Sequence, residues 1–243
     1  SRCSEVAHAR GSTQRALSDA RGSTPLDARW TSIFTLQTLQ RIVRAMTTYH
    51  HGDLRRSVLD RALVVVAEEG ANRLSLRSIA ADLQVSHTAP RHHFGSNAGL
   101  LTAIAVEGFV MLGESLRRLR ENDAPFLDLG VAYVRFAVEH PAHFAVMFQP
   151  QLLHLEDPEY VAASSGAFGE LRMGVDALSA NIPSADAAAA VTAAWALMHG
   201  LATLELTGNL ERSQIRGLLG VTDIGLIAQR TGSMLFGASG GTT

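Results

Sequence analysis

Cysteine, lysine and long apolar runs are scarce in this chain, and each shortage argues against a class of protein. The single cysteine is Cys3, so neither a disulfide framework nor a cysteine-based metal site is expected. No uninterrupted apolar run approaches the roughly 18 residues of a membrane span. The N-terminal residues also lack the apolar stretch of a secretory signal. We therefore expect a cytoplasmic protein with no membrane partner.

Lysine is absent, so all 21 basic residues are arginines, a bias that a GC-rich genome explains most simply. Their distribution is more informative than their type. Residues 1–95 contain 13 Arg and 8 acidic residues, whereas residues 96–243 contain 8 Arg and 15 acidic residues. The net charge of -2 excludes a global polycation. The asymmetry nevertheless predicts a front part suited to a polyanion and an acidic back part.

Apolar residues recur at helical spacing along most of the chain, and 47% of the residues are hydrophobic. Residues 1–29 lack this periodicity and are predicted to be disordered, whereas residues 30–45 show helix-like spacing. A helix is predicted from Leu54 to a glycine C-cap at Gly70. Further helical segments are predicted over residues 97–121, 125–140, 142–148, 158–181, 185–206 and 213–236. Because no convincing strand alternation accompanies them, the predicted fold class is all-α, with a small front bundle and a larger back bundle.

The segment "SLRSIAADLQVSHTAPRHHF" has the pattern of a helix-turn-helix. Ser75 is a candidate N-cap for a first helix that buries Ile79 and Ala80. The tight turn "LQVS" follows, and then a short polar helix that Ser86 caps and Phe94 holds against the first helix. Pro90 is tolerable only in the first turn of that helix. The pattern predicts a second helix able to lie in the major groove of DNA.

The clustered histidines of this segment raise two other readings. His87, His92 and His93 have no accompanying carboxylate or cysteine, so a metal site is disfavoured, as it is for His50 with His51 and for His140 with His143. An enzyme is disfavoured because a di-iron bundle needs Glu-x-x-His pairs, and the one such pair is Glu5 with His8 near the N-terminus. No phosphate loop or nucleophile elbow occurs. We predict no catalytic residue, no metal and no cofactor.

The order of a long helix, "EEG", "LSLRSIAADLQVS", a polar short helix, "HF" and "GSNAGLL" resembles the tetracycline-repressor (TetR) family of bacterial transcription regulators. The resemblance is strong over about residues 49–101. The back half, with "YVRFAVEHPAHFAVMF" and "WALMHGLATLEL", is similar to a branch whose C-terminal domain contains the Trp195, His199 and Gly200 pattern. Three positions depart from the family pattern: Gln84 replaces a turn glycine, and Arg91 and His93 replace tyrosines.

The resemblance implies a division into an arm over residues 1–48, a three-helix DNA-binding domain over 49–96 and an effector-binding and dimerisation domain over 97–243. It implies a homodimer that binds a palindromic double-stranded DNA operator, most often as a repressor, and a small-molecule effector that releases it. The implied DNA contacts are Arg55, Ser75, Arg77, Ser86, His87, Thr88, Ala89, Arg91, His92, His93 and Asn97. The departures at Gln84, Arg91 and His93 leave open a helical effector-binding or interaction protein that has lost sequence-specific DNA binding.

The effector pocket implied by the resemblance lies inside the back bundle. Its candidate residues are Phe136, His143, Met147, Trp195, Met198 and His199. The two helical segments over about 185–206 and 213–236 are expected to form a four-helix interface with their copies. The alanine-rich run from Ala185 to Ala194 would permit close helix approach, although strong helix propensity explains the run equally well.

Overall fold

A computed structural model describes the chain over residues 54–178 and 184–236, and side chains over 54–176 and 186–235. Within these ranges every regular element is helical, which confirms the predicted all-α fold. The α-helices are α1 (Leu54–Glu69), α2 (Leu76–Asp82), α3 (Ala89–Phe94), α4 (Asn97–Glu121), α5 (Phe126–Glu139), α6 (Pro141–Met147), α7 (Pro158–Leu178), α8 (Ser184–Leu206), α9 (Asn209–Arg212), α10 (Ile215–Leu219) and α11 (Ile224–Phe236). The predicted arm over residues 1–48 and the pair His50 and His51 lie outside the described residues.

Helices α1, α2 and α3 pack against one another and against the start of α4. Their shared core contains Val58, Ile79, Phe94 and Leu100, all of them buried. Ile79 and Phe94 are buried as predicted from the sequence. Burying them against each other holds the short helices α2 and α3, which are too short to be stable alone.

Helix α4 connects the front helices to the rest of the fold. It begins at the N-cap Ser96, whose Oγ accepts the N–H of Gly99 at 3.0 Å. Its buried stripe includes Ile104, Leu112 and Leu116, and its bounds are those predicted from the periodicity. Helices α5, α6 and α7 pack on it, and α8 and α11 pack on α5. One continuous hydrophobic core therefore reaches from α1 to α11.

The single helix predicted over residues 213–236 is wrong. Gln214 and Gly220 adopt the left-handed conformation, with φ of 58° and 63°, and they bracket the short helix α10. Since a left-handed residue cannot continue a right-handed helix, the chain turns and α11 begins only at Ile224. An ion pair between Arg216 and Glu205 ties α10 to α8. The last long helix is therefore shorter than the sequence suggested.

Helices α4 and α8 are long and apolar enough, by length and composition, to cross a membrane. Uninterrupted apolar runs are short in both helices, but the few charged residues barely lower the mean hydropathy. Half of the most apolar stretch of α4 is buried in the core, whereas 22% of that of α8 is buried. A helix in a protein core can be equally long and apolar, so these properties do not identify a membrane span. The absence of a membrane partner therefore stays a prediction. Helix α8 keeps an apolar surface that the described part of this chain leaves uncovered.

Gln84, in the turn between α2 and α3, has a φ of 56°, in the region that favours glycine. The turn glycine of the family pattern suits such a φ, and Gln84 adopts it in place of glycine. We expect Gln84→Gly to raise the free energy of unfolding by about 0.5–1 kcal/mol, because relief of backbone strain outweighs the added freedom of the unfolded chain. Urea denaturation measures the difference. Gln84→Ala keeps a Cβ in the same conformation and should give no stabilisation; equal gains in both variants would contradict the strain argument.

Candidate DNA interface and effector cavity

The helix-turn-helix is built from α2, a turn over residues 83–88 and α3. Ser75 caps α2 through a long contact of 3.5 Å from the Ser78 N–H to its Oγ. A second tie comes from α4, where the Asn97 Oδ1 accepts the Leu76 N–H at 3.0 Å. In the turn, the Val85 N–H donates to the Ala80 carbonyl at 3.0 Å. These bonds hold the start of α2 and the turn in one arrangement relative to α4.

Helix α3 begins later than the sequence suggested. Thr88, rather than Ser86, stands at its N-cap position, and Pro90 lies in the first turn as predicted. The Ser86 hydroxyl lies 2.9 Å from the Thr88 hydroxyl and 3.4 Å from the Thr88 N–H, so it closes the preceding turn. His87 therefore lies in the turn and not on the helix. The prediction that Ser86 caps this helix was wrong by two residues, because its hydroxyl bonds locally.

Most of the predicted DNA contacts lie on the surface of this motif. Nine of them are exposed, whereas Ser75 and Ala89 are half-buried. The exposed ones are Arg55, Arg77, Ser86, His87, Thr88, Arg91, His92, His93 and Asn97. The guanidinium groups of Arg77 and Arg91 form no ion pair or hydrogen bond with the residues that the structure describes. Two exposed guanidinium groups without intramolecular partners are available to bind phosphate or base edges.

Two predicted DNA contacts also have structural roles. The guanidinium carbon of Arg55 lies 5.5 Å from the centroid of the Phe94 ring, so a cation–π contact joins α1 to α3. The Asn97 Oδ1 is occupied by the Leu76 N–H. Phe94 is buried, as predicted for the residue that holds α3. No group of three or more potential metal ligands occurs among the described residues.

An apolar cavity lies in the back bundle between α4, α5, α7 and α8. Its accessible volume is about 40 Å³, and it opens to the surface. The lining residues are Phe109, Leu112, Leu116, Phe126, Leu127, Leu129, Gly130, Tyr133, Phe148, Ala167, Phe168, Leu171, Ala194, Trp195 and Met198. All of these side chains are uncharged at neutral pH. The cavity suits a small apolar molecule, the kind of ligand that such sites most often take.

Three polar groups meet at one side of this cavity. The Tyr133 hydroxyl lies 2.9 Å from Nδ1 of His199. Burial raises the pKa of Tyr133, with a small opposing effect from Trp195, and burial lowers the pKa of His199. Both groups are therefore neutral near pH 7, with the phenol able to donate to Nδ1. The Trp195 Nε1 is buried near the Tyr133 hydroxyl but makes no hydrogen bond of good geometry within the described structure.

The predicted effector residues are divided among several places. Trp195 and Met198 line the cavity, and His199 contacts its wall through Phe148, with ring centroids 4.7 Å apart. Phe136 lines a separate open groove beside α11. His143 and Met147 are buried in α6, where they pack against Gly108 of α4.

Sequence reasoning missed most of the cavity lining, in particular the rings of Phe109, Phe126, Phe148 and Phe168. These residues follow the same helical spacing as ordinary core positions. The spacing of apolar residues shows which face of a helix is buried. It does not show whether side chains from the facing helices fill the space beside that face or leave a cavity. The aromatic residues of "YVRFAVEHPAHFAVMF", among them Tyr133 and Phe148, were the one available signal.

Glu107 of α4 joins the front and back bundles. The Arg56 Nη1 of α1 donates to both carboxylate oxygens, at 3.0 and 2.8 Å, while Arg56 also bonds Asp60. His143 of α6 places its Nε2 3.4 Å from the Glu107 Oε1, outside good hydrogen-bond geometry. His143 and Arg56 together hold the pKa of Glu107 at about 2, against the burial that would raise it. We call Arg56, Glu107 and His143 the junction.

Glycine at position 108 makes the junction possible. A Cβ there would lie 2.6 Å from the Met147 Sδ and 3.1 Å from the His143 Cβ. Helix α6 can therefore approach α4 closely enough to set His143 beside Glu107. Helix α6 also packs against α1, so one short helix contacts the front bundle and, through Phe148 at its end, the cavity.

Comparison with known proteins agrees with this arrangement. Residues 126–216 match the family model described as "Tetracyclin repressor-like, C-terminal domain". Two curated relatives are named uncharacterized HTH-type transcriptional regulators. Rv0681 of Mycobacterium tuberculosis is 27% identical over 161 residues, which cover 65% of this chain and 72% of that protein. YobS of Bacillus subtilis is 26% identical over 96 residues, which cover 38% of this chain and 50% of that protein.

Solved structures give the same picture at the level of the fold. A protein of unknown function from Rhodococcus sp. RHA1 is 30% identical, with a TM-score of 0.61, and the match covers 78% of this chain and 96% of that one. The regulatory protein SCO4313 shares the fold at 19% identity, with a TM-score of 0.64 and coverage of 76% and 96%.

A helix-turn-helix followed by a helical bundle with an apolar cavity, together with these relatives, defines the chain as a helix-turn-helix transcriptional regulator. Within that class it belongs to the TetR family. The narrower branch marked by Trp195, His199 and Gly200 stays a prediction.

Proposed function

We propose that this protein is a ligand-responsive regulator that binds a palindromic operator as a homodimer and is released by a small-molecule effector, most simply as a repressor. The observation that carries the proposal is the exposure of Arg77 and Arg91, without intramolecular partners, on the helix-turn-helix. Arginines in that situation favour phosphate and guanine contacts. Residues 49–96 are proposed as the DNA-binding domain and 97–243 as the effector and dimerisation domain.

We assign the proposed base and phosphate contacts from the position of each residue in the helix-turn-helix. His87, Ala89 and Arg91, at the start of α3 or just before it, are proposed to contact bases, and the remaining predicted residues to contact phosphates. The test is a gel shift with the promoter regions of the protein's own gene and its neighbours, repeated at rising salt. A specific shift that weakens steeply with salt is expected, because cationic contacts release counterions from DNA. A protein that gives no salt-sensitive shift on any such fragment is not this regulator.

The proposed dimer surface consists of the outward faces of α8 and α11. Ala188, Ala189, Ala193 and Ala196 of α8 are exposed, whereas Ala194, expected with them, faces inward to the cavity. Large apolar side chains continue this surface: Leu204 is 41% exposed, Leu226 48% and Met234 84%. An apolar surface this exposed favours burial against a second copy. The alanines of α8 would let two helices approach closely, because their side chains are small.

We expect Ala193→Arg to weaken self-association at least about tenfold, because each copy would place a large charge in an apolar interface. Light scattering after size exclusion measures the oligomeric state over a concentration series. Ala162→Arg, on the exposed side of α7, is the matched control and should leave the dimer intact. Dissociation by both substitutions, or by neither, would contradict this assignment of the surface.

The junction is proposed to couple the effector cavity to DNA. A ligand between Phe109 and Phe148 would press on the end of α6, and α6 carries His143 against Glu107. A shift of α6 would change the position of Arg56, and with it α1 and the attached α3. The ligand acts in this scheme by binding one arrangement of the front bundle more tightly than the other.

A further inference from the structure

The cavity lining carries information about the chemistry of its ligand. Six aromatic residues line the space, Phe109, Phe126, Tyr133, Phe148, Phe168 and Trp195, and the remaining lining is almost entirely aliphatic. We propose that the effector is an uncharged, flat aromatic molecule that carries one hydrogen-bond acceptor, which binds the Trp195 Nε1–H. This inference rests on the proposed function only in taking the cavity as the effector site.

The absence of charge in the lining argues for a neutral ligand. An ionised group in an apolar site loses its hydration and needs an opposite charge beside it. The buried carboxylate of Glu170 on α7, which is outside the lining, is already bonded to Arg120 at 2.7 Å. Glu107 is engaged by Arg56 in the junction. No lining side chain in the described cavity could pair with a carboxylate or an ammonium group.

The acceptor follows from the one buried polar atom that the fold leaves unsatisfied there. The Trp195 Nε1 lies in a side chain that lines the cavity, has no hydrogen-bond partner in the described structure and can only donate. A buried donor without a partner is costly, and most are satisfied by protein, water or ligand. The neighbouring Tyr133 hydroxyl is already bonded to His199, so it offers less to a ligand than the indole does.

The geometry of the rings favours a flat molecule. Phe168 meets Trp195 edge to face, with centroids 5.1 Å apart and an interplanar angle of 89°. Phe109 meets Phe148 in the same manner, at 5.7 Å and 78°. Edge-to-face pairs of this kind leave both ring faces and ring edges exposed to a neighbouring molecule, and both are favourable contacts for another aromatic ring. Phe168 is 38% exposed, so part of this lining reaches the surface.

The test compares three naphthalenes substituted at the same ring position, with binding to the full chain measured by titration calorimetry. Acetylnaphthalene is neutral and has an acceptor, ethylnaphthalene is neutral and has none, and naphthoate is an anion of nearly the same shape. We expect acetylnaphthalene to bind at least about thirtyfold more tightly than naphthoate, since the anion would be buried unpaired. Tighter binding of naphthoate, or binding of none of the three, would overturn the proposal.

The role of the indole is tested by the ratio of the ethylnaphthalene and acetylnaphthalene dissociation constants. Trp195→Phe keeps an aromatic ring but removes the donor, and should lower this ratio about fivefold while ethylnaphthalene still binds. Tyr160→Phe is the control, because it removes a phenol hydroxyl from α7 outside the cavity lining, and it should leave the ratio unchanged. Thermal melts establish that both variants fold. An unchanged ratio in folded Trp195→Phe would show that the indole does not recognise an acceptor.

A gel shift separates this inference from the proposed function. If the naphthalenes bind as expected but never release DNA, the ligand class holds and the effector role of the cavity fails. If the unaltered protein binds its promoter, and only naphthoate binds the protein or releases it from DNA, the proposed regulator function holds and the neutral ligand class is wrong.

Discussion

Replacing Arg91 by alanine is expected to weaken operator binding about thirtyfold or more, because an arginine–base contact contributes about 1–3 kcal/mol and a palindrome repeats it in two half-sites. Arg91 is exposed on α3, and its guanidinium group bonds no residue in the described structure. Its removal should therefore leave the melting temperature nearly unchanged. Quantitative gel shifts and thermal melts on the same samples measure the two effects.

Arg172→Ala is the matched control for this substitution. Arg172 is also an exposed arginine, but it lies on α7 in the back bundle, away from the helix-turn-helix. Its loss changes the net charge equally and should leave operator affinity within about twofold, since distant exposed charges are screened by salt. Equal losses in the two variants would reduce the role of Arg91 to net charge alone. A large fall in melting temperature for Arg91→Ala would make that residue structural.

Replacing Glu107 by glutamine is expected to lower the free energy of unfolding by about 2–3 kcal/mol near pH 7, after allowance for partial exposure of the carboxylate. The pKa of Glu107 falls from 4.5 to about 2 in the folded protein, so its ionised form stabilises the fold. Glutamine keeps the shape but removes the charge that Arg56 and His143 share. Glu114→Gln, an exposed position on the same helix, is the control and should change stability little.

The same variant has a definite pH signature. A carboxylate with a lowered pKa contributes its stability in full above the unfolded value and loses it as the pH falls toward the folded value. The difference in stability between the unaltered protein and Glu107→Gln should thus be constant above about pH 5 and shrink as the pH falls from 4.5 to about 2. Denaturant titrations at several pH values measure it. A difference that does not change with pH would mean that the loss comes from packing.

Glu107→Gln also tests the proposed coupling. If the junction transmits ligand binding to α1, the folded variant should bind a cavity ligand with nearly unchanged affinity but respond less in DNA release. Glu114→Gln should keep the full response. A variant that releases DNA as readily as the unaltered protein would exclude Glu107 from the coupling, although its effect on stability could remain.

Several elements were predictable because their signals are local. The bounds of α4 follow from the Ser96 cap and the spacing of its apolar residues, and Pro90 had to lie in the first turn of a helix. The positive φ at Gln84 followed from the family resemblance. The break at Gly220 was missed because the apolar spacing on either side of it happens to continue in phase, and periodicity does not register a change of chain direction.

The sequence by itself determined the helical class of this protein, its helix-turn-helix and the family to which it belongs, because these depend on spacing within a few turns of one chain segment. Only the tertiary structure decided which apolar residues border the cavity and which fill the core. It also brought together three residues from different helices, Arg56, Glu107 and His143. Arg56 and Glu107 are 51 positions apart along the chain, and Glu107 and His143 are 36 apart. Contacts of that kind depend on how helices pack, and packing depends on the shapes of all the faces at once.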